Sequence, residues 1–265
     1  MNTKVIYNSC GAEQVTFDEL ARIPAIRKSP THQPIQHHKV AEAIKRSLQS
    51  YGGYEITEET YGISHKGQRC FSLLRLRDEK SRSDYDTVYI FRNANDFGFS
   101  LRCGTGGVVG ICSNMMFVAE YEIAGAKHTK NIMDTFTDRV SMLNKKLLDH
   151  TDSMHKTYDL YKKVRLPHRQ ADHLIMEAVR KGALPKTKID KVDKEWRNPT
   201  YNYDGQRWSA WELFNAFTHV NKGLNYVDQI SRTQKLHKVF DSYLASKKQI
   251  ATAEYLAVAL SLIHI

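Results

Sequence analysis

Residues 86–117, DTVYIFRNANDFGFSLRCGTGGVVGICSNMMF, constrain the fold more than any other stretch. Their apolar runs are too short for helices and are separated by a polar corner and a glycine-rich segment. Val88, Tyr89, Ile90 and Phe91 are β-branched or aromatic, which suits a pleated surface, and an unbroken run of this kind implies a strand covered on both faces. Arg92-Asn93-Ala94-Asn95-Asp96 reads as a turn, because Asn and Asp bond their own backbone and tolerate left-handed angles. From Phe97 the pattern alternates: Phe97, Phe99, Leu101 and Cys103 share one face, and Gly98, Ser100 and Arg102 the other. Gly104-Thr105-Gly106-Gly107 then permits a tight reversal, and Val108 to Phe117 returns as the second arm of an antiparallel hairpin. A phosphate-cradling loop is disfavoured at these glycines, since no Lys-Ser/Thr pair and no helix follow. Arg92, Asn93, Asn95, Asp96 and Asn114 either converge on one edge or form a solvated turn.

The stretches on either side set the fold class. Residues 1–34 read as an extended arm, with Thr16-Phe17-Asp18-Glu19 as a capping box for a short helical turn and Pro24, Pro30 and Pro34 keeping the rest open. Gln36 to Tyr51 is a helix with Val40, Ala41, Ile44 and Leu48 on one face, ended by Gly52-Gly53. Tyr54–Ser64 and Gln68–Arg77 are strands joined by His65-Lys66-Gly67, with Arg75 and Arg77 on one side. Asn131 to Val164 is the longest helix. Its seam of Phe136, Val140, Leu143, Leu147, Met154, Tyr158 and Tyr161 suits packing within the domain and also permits a homo-oligomer. Helices follow at 169–180, from Ser209 (a second capping box with Glu212) and at 231–246, with 183–205 a polar surface connection. Trp208, Trp211, Phe214 and Phe217 are expected in the core. The class is therefore α+β: a curved antiparallel β-meander of about four or five strands packed by a long helix, followed by a helical C-terminal part. The units are 1–34 (arm), 35–166 (α+β core), 167–258 (helical region) and 259–265. That last tail ends LSLIHI, resembles a translated sequencing adapter and is read as non-native.

Composition narrows the partners. Thirty-nine Lys and Arg against 29 Asp and Glu give a net charge of +10, which favours an anionic partner. Cys10, Cys70, Cys103 and Cys112 form no C-x-x-C pair, and sparse cysteines in a chain of 265 residues fit a reducing cytoplasm. No apolar run reaches the ~18 residues a membrane helix needs, so no membrane partner is expected. His32, His37 and His38 cluster ahead of the first long helix, but neighbouring histidines point apart on a helix, so they read as a solvated helix start and no metal is expected. No cofactor is expected either. Lys127, His128 and Lys130 precede the longest helix, where a helix N-terminus favours anions.

Several stretches together resemble domain-of-unknown-function family 932, the phage/plasmid-like proteins. They are Thr31-His32 with Pro34-Ile35 and His38, Phe91-Arg92-Asn93 with Asp96, Val109 to Asn114, Lys127-His128-Thr129, and Ser209 to Thr218 (SAWELFNAFT). The resemblance implies a gene carried by phages, plasmids or integrated elements, and no established activity. The corner at Asp96-Phe97-Gly98 is shorter than is common in the family. The expected architecture is also similar to that of Rad52-type single-strand annealing proteins, and an architecture does not fix a function.

The leading expectation is a non-enzymatic nucleic-acid-binding protein of a mobile element, binding or annealing single strands. Arg75, Arg77, Arg92, Asn93, Arg102, Lys127, His128 and Lys130 would track phosphates, with Tyr89 and Phe91 the nearest aromatics, although both suit the core better. The alternative is a phage or plasmid interaction protein that blocks a host defence complex. A hydrolase pairing Asp96 with His128 would need the two within hydrogen-bond reach, and no recognised catalytic spacing supports it.

Overall fold

Strand-forming runs between Glu13 and Glu122 pair in simple sequence order as one antiparallel sheet, β1 to β6. The strands are Glu13–Val15, Glu55–Ser64, Arg69–Arg77, Tyr85–Ala94, Arg102–Val109 and Asn114–Glu122. The structure is a computed structural model that describes residues 12–52, 54–77, 84–109, 114–122, 132–224 and 226–262. The class is α+β, with the helices concentrated after the sheet. The sheet has one strand more than the upper expectation of five because part of the arm pairs: Glu13, Gln14 and Val15 lie opposite Ile63, Gly62 and Tyr61.

The helices are α1 (Phe17–Arg22), α2 (His37–Gly52), α3 (Ile132–Lys163), α4 (His168–Arg180), α5 (Ile189–Arg197), α6 (Ala210–Val220) and α7 (Tyr226–Leu262). The capping box at Thr16 forms: its hydroxyl accepts from the Glu19 N–H and Glu19 accepts from the Thr16 N–H. The inner face of the sheet, carrying Tyr61, Leu74, Tyr89 and Phe91, packs on Val40, Ile44 and Leu48 of α2 and on Phe136, Val140 and Leu147 of α3. Burying each large aliphatic there stabilises the fold by roughly 1.5–3 kcal/mol. On the outer face Phe71, Leu73, Val88, Ile90 and Val108 form a second cluster, closed by Ile230 of α7. A third core joins Tyr85, Val109 and Met116 of the sheet to Tyr158, Trp211, Phe214 and Phe240 of the helices.

Polar pairs set how α3 sits on the sheet. Tyr89 Oη donates to Asn144 Oδ1 at 2.5 Å, Thr105 and Thr151 share a hydroxyl bond at 3.1 Å, and Tyr85 Oη meets His155 Nδ1 at 2.5 Å. All six residues are buried, so sliding the helix along the sheet would leave buried polar groups without partners.

Four local expectations are corrected. Gly104 to Gly107 is not a reversal; it lies inside β5, with Gly106 after a bulge. A Cβ on Gly107 would sit 3.1 Å from Met116 Cε and 3.2 Å from Tyr158 Cε2, so the glycine admits close approach of α3. Phe97 to Leu101 is not a strand but the bend between β4 and β5. Residues 183–205 are not merely a surface connection: Ala183 and Leu184 are buried, and α5 buries Val192 and Trp196. The capping box at Ser209 is half made. Ser209 accepts from the Glu212 N–H, but the Glu212 carboxylate turns to the Trp208 N–H and to Arg207.

Trp211, Phe214 and Phe217 are fully buried as expected, with Trp208 half-buried beside them. Cys70 and Cys103 are buried free thiols, and Cys10 and Cys112 lie outside the described residues. Among the described residues no helix is long and apolar enough to cross a membrane.

Candidate nucleic-acid interface

The arginines expected to hold a polyanion separate into two groups on the outer face of the sheet, with the apolar cluster between them. The register pairs Arg92 of β4 with Arg102 of β5, and Arg69 of β3 with Ala94 two residues along β4. Alternation then puts Arg69, Arg92 and Arg102 on one face at one end of the sheet. Arg75 and Arg77 share that face, but Arg75 lies opposite Val88, about 13 Å along the strand from Arg92. The stretch between holds Phe71, Leu73 and Ile90.

Arg75 is committed elsewhere. It is 7% exposed, with Nε 2.7 Å from Glu58 and Nη1 2.5 Å from Asp86. Arg77 is exposed at the end of β3, opposite Glu55. This end of the sheet is charge-balanced.

The other end is a corner built from three chain segments. Asn93 and Asn95 hold it together from within, which removes Asn93 from the polyanion set because it is fully buried. Asn93 Nδ2 donates to Ile35 O at 3.1 Å and to His37 Nδ1 at 2.9 Å. His37 therefore carries its proton on Nε2, which donates to Gly67 O at 2.9 Å. Asn95 accepts from the Ile35 N–H at 3.2 Å and donates from Nδ2 to Ile35 O at 3.1 Å. Its own N–H donates to Gln68 O at 2.8 Å. The arm, the β2–β3 turn and the β4–β5 bend are thus tied to one another. His32 and His37 are buried, not a solvated helix start as expected. Among the described residues no group of His, Cys, Asp and Glu could hold a metal ion. Asn114 does not join the corner: it lies opposite Val109, at the far end of β5.

Outside this scaffold the corner turns basic and aromatic. Arg69 Nε donates to Asp96 Oδ2 at 2.8 Å. Burial raises the Asp96 pKa, but the Gly98 N–H and Arg69 outweigh it and hold the carboxyl below its ordinary value. A Cβ on Gly98 would fall 2.5 Å from the Arg69 guanidinium, so glycine lets that side chain pass under the bend. Phe99 packs against Phe71 in a tilted arrangement at 5.6 Å between ring centres, with the Arg92 and Arg69 guanidiniums 5.1 and 5.8 Å from its ring. Arg92 is largely buried beneath it and Arg102 half-buried, with Glu122 of β6 opposite Arg102. His65 and Lys66 are exposed in the β2–β3 turn that Asn95 ties to the corner, and His65 helps to lower the Asp96 pKa.

Phe97 projects from the bend. It is 58% exposed, its ring lies 4.3 Å from that of His32, and its φ is +65°. A bulky residue with positive φ is strained, and such strain gathers at functional segments. Tyr89 and Phe91, the nearest aromatics by sequence, are buried. Sequence reasoning overlooked Phe97, Phe99, Arg69 and Lys66 because alternation placed the two phenylalanines on a strand. For the two phenylalanines the signal is the glycine between them, a mark of broken strand structure; Arg69 and Lys66 carry no such local signal. Lys127, His128 and Lys130 lie outside the described residues, so the phosphate cluster there and the Asp96–His128 pair are not described.

The family model for a domain of unknown function, DUF932, matches residues 27–242. Neither the curated proteins nor the solved structures compared with the chain gave a match.

Proposed function

The chain belongs to the DUF932 family of unknown function, and from that premise we propose that it is a nucleic-acid-binding protein of a phage, plasmid or other mobile element, acting on single strands. The observation that carries this reading is Phe97, an exposed aromatic held in strained backbone at a corner where Arg69, Arg92 and Arg102 converge. Single-strand binders pair exposed aromatic rings with cationic tracks, because every base offers a π-face and every nucleotide a phosphate. The bend supplies the ring, half-buried Arg69 and Arg102 supply guanidiniums at the strand ends, Lys66 adds a flexible ammonium, and Arg92, buried beneath Phe99, adds only to the local positive charge. The net charge of +10 adds a long-range attraction for polyanions. No general acid–base pair is needed, and the reading is non-enzymatic.

The test is fluorescence anisotropy with a labelled single-stranded oligonucleotide across a salt series. The intact chain is expected to bind at low salt, and Phe97→Ala to lose about 1–3 kcal/mol of affinity, the usual worth of one stacked base. Lack of binding at low salt, or equal affinity for the intact chain and Phe97→Ala, would overturn the proposal. A single protein partner recovered from host lysate after nuclease treatment, with no oligonucleotide binding, would favour the interaction-protein alternative.

A further inference from the structure

A cleft of about 680 Å3 runs between α4 and α7, on the helical half of the molecule and outside the corner described above. Its size lies within the range of roughly 300–1,000 Å3 typical of small-molecule sites. The two helices run antiparallel: Gly182, just past α4, approaches Lys235 of α7, while Gln170 near the start of α4 accepts a hydrogen bond from Tyr243. The cleft is therefore polarised along its length. One end carries Lys181, Lys235 and Lys238; the other carries Tyr243 and Ser246. A rise of about 1.5 Å per residue puts Lys235 and Ser246 about 16 Å apart along α7.

The floor is apolar, from Leu174 and Val239. Asp241 lines the middle, held in place by Tyr161 Oη, which donates to its Oδ1 at 2.8 Å. Glu177, the other carboxylate of the cleft, is engaged by Arg180 at 2.5 Å. Among the described residues the three lysines form no ion pair within 4 Å; Lys181 acts on Glu177 across the cleft and helps to lower its pKa, which leaves Lys235 and Lys238 as the main positive charge of this end. Three ammoniums at one end, a fixed carboxylate acceptor midway and an aromatic hydroxyl over an apolar floor match a ligand with a phosphate at one end, hydroxyls in the middle and a flat ring at the other.

We propose that the cleft between α4 and α7 binds a small organic phosphate of nucleotide size, its phosphate end on Lys181, Lys235 and Lys238 and its ring end toward Tyr243. The ammoniums hold the phosphate oxygens by charge-assisted hydrogen bonds. Asp241 accepts from sugar hydroxyls. The proposal does not depend on the single-strand reading, since the cleft and the corner share no residue.

Isothermal titration of the full chain with ADP, pyrophosphate and adenosine tests this at low salt. ADP is expected to bind more tightly than either part, because only ADP spans both ends of the cleft. The double variant Lys235→Gln/Lys238→Gln is expected to lower ADP affinity at least tenfold while leaving thermal unfolding unchanged, since both lysines are exposed. Arg102→Gln is expected to leave ADP binding intact, which separates this site from the corner. No heat with ADP at millimolar concentration would overturn the proposal. So would ADP affinity unchanged in the lysine variant, or ADP binding lost in Arg102→Gln and kept in the lysine variant.

Discussion

Asn93 donates its amide to Ile35 and His37, and His37 passes the link on to Gly67. Removing the donor takes the amide hydrogen bond from His37 Nδ1 inside the protein, while Ile35 O keeps its bond from Asn95. Asn93→Ala is expected to destabilise the fold by about 1–3 kcal/mol, measured by urea unfolding, with the arm and the β2–β3 turn losing hydrogen-exchange protection first. His237 offers a second prediction. Its ring packs against Tyr158, Tyr161 and Phe214, and burial pushes its pKa down to about 3. The unfolded chain, with an ordinary histidine near 6.5, binds the proton that the folded chain refuses. Stability is therefore full above pH 6.5 and falls as the pH drops from 6.5 towards 3, by about 1.4 kcal/mol per unit from this group. His237→Gln is expected to flatten that part of the profile of unfolding free energy against pH.

At the scale of elements, β5 shows why a glycine-rich run need not be a turn. Gly107 faces Tyr158 of α3 and Met116 of β6, and a side chain there would push both away. Gly107→Val is expected to cost about 1–3 kcal/mol through overpacking, read from urea midpoints with circular dichroism. The same reversal of meaning occurs at the bend after β4. Gly98 lets Arg69 pass beneath the chain, and the bend lifts Phe97 into solvent. The strand pattern of alternating apolar residues is present there in the sequence, yet the backbone leaves the sheet. The α5 segment errs in the other direction: polar, Lys-rich residues around Val192 and Trp196 hide a helix with a narrow buried stripe.

For the whole molecule the distribution of charge matters more than its sum. Arg75, between Glu58 and Asp86, serves the sheet and not a partner, whereas the corner gathers Arg69, Arg92 and Arg102 beside Asp96, with Lys66 exposed in the β2–β3 turn tied to it. A phosphate contact to single-stranded nucleic acid contributes about −0.7 to the slope of log affinity against log salt. Lys66→Gln with Arg102→Gln is therefore expected to shallow that slope by about 1.4. Arg77→Gln, at the balanced end of the sheet, is expected to leave it unchanged. Anisotropy titrations at three or more salt concentrations decide between these outcomes.

What the chain reveals without coordinates is what neighbouring residues settle among themselves. The apolar stripes of α2 and α3, the cap at Thr16 and the buried run from Val88 to Phe91 depend on spacing of a few residues, and each stands where that spacing put it. Folding in three dimensions decided whatever depends on a partner far along the chain. Asn93 turns inward because Ile35 and His37 wait there, Gly107 stays in a strand because Tyr158 presses on it, and Phe97 faces solvent because Arg69 fills the space below the bend. Amide, glycine and aromatic residues are each compatible with several local conformations of similar energy, so the contact brought in from elsewhere selects among them.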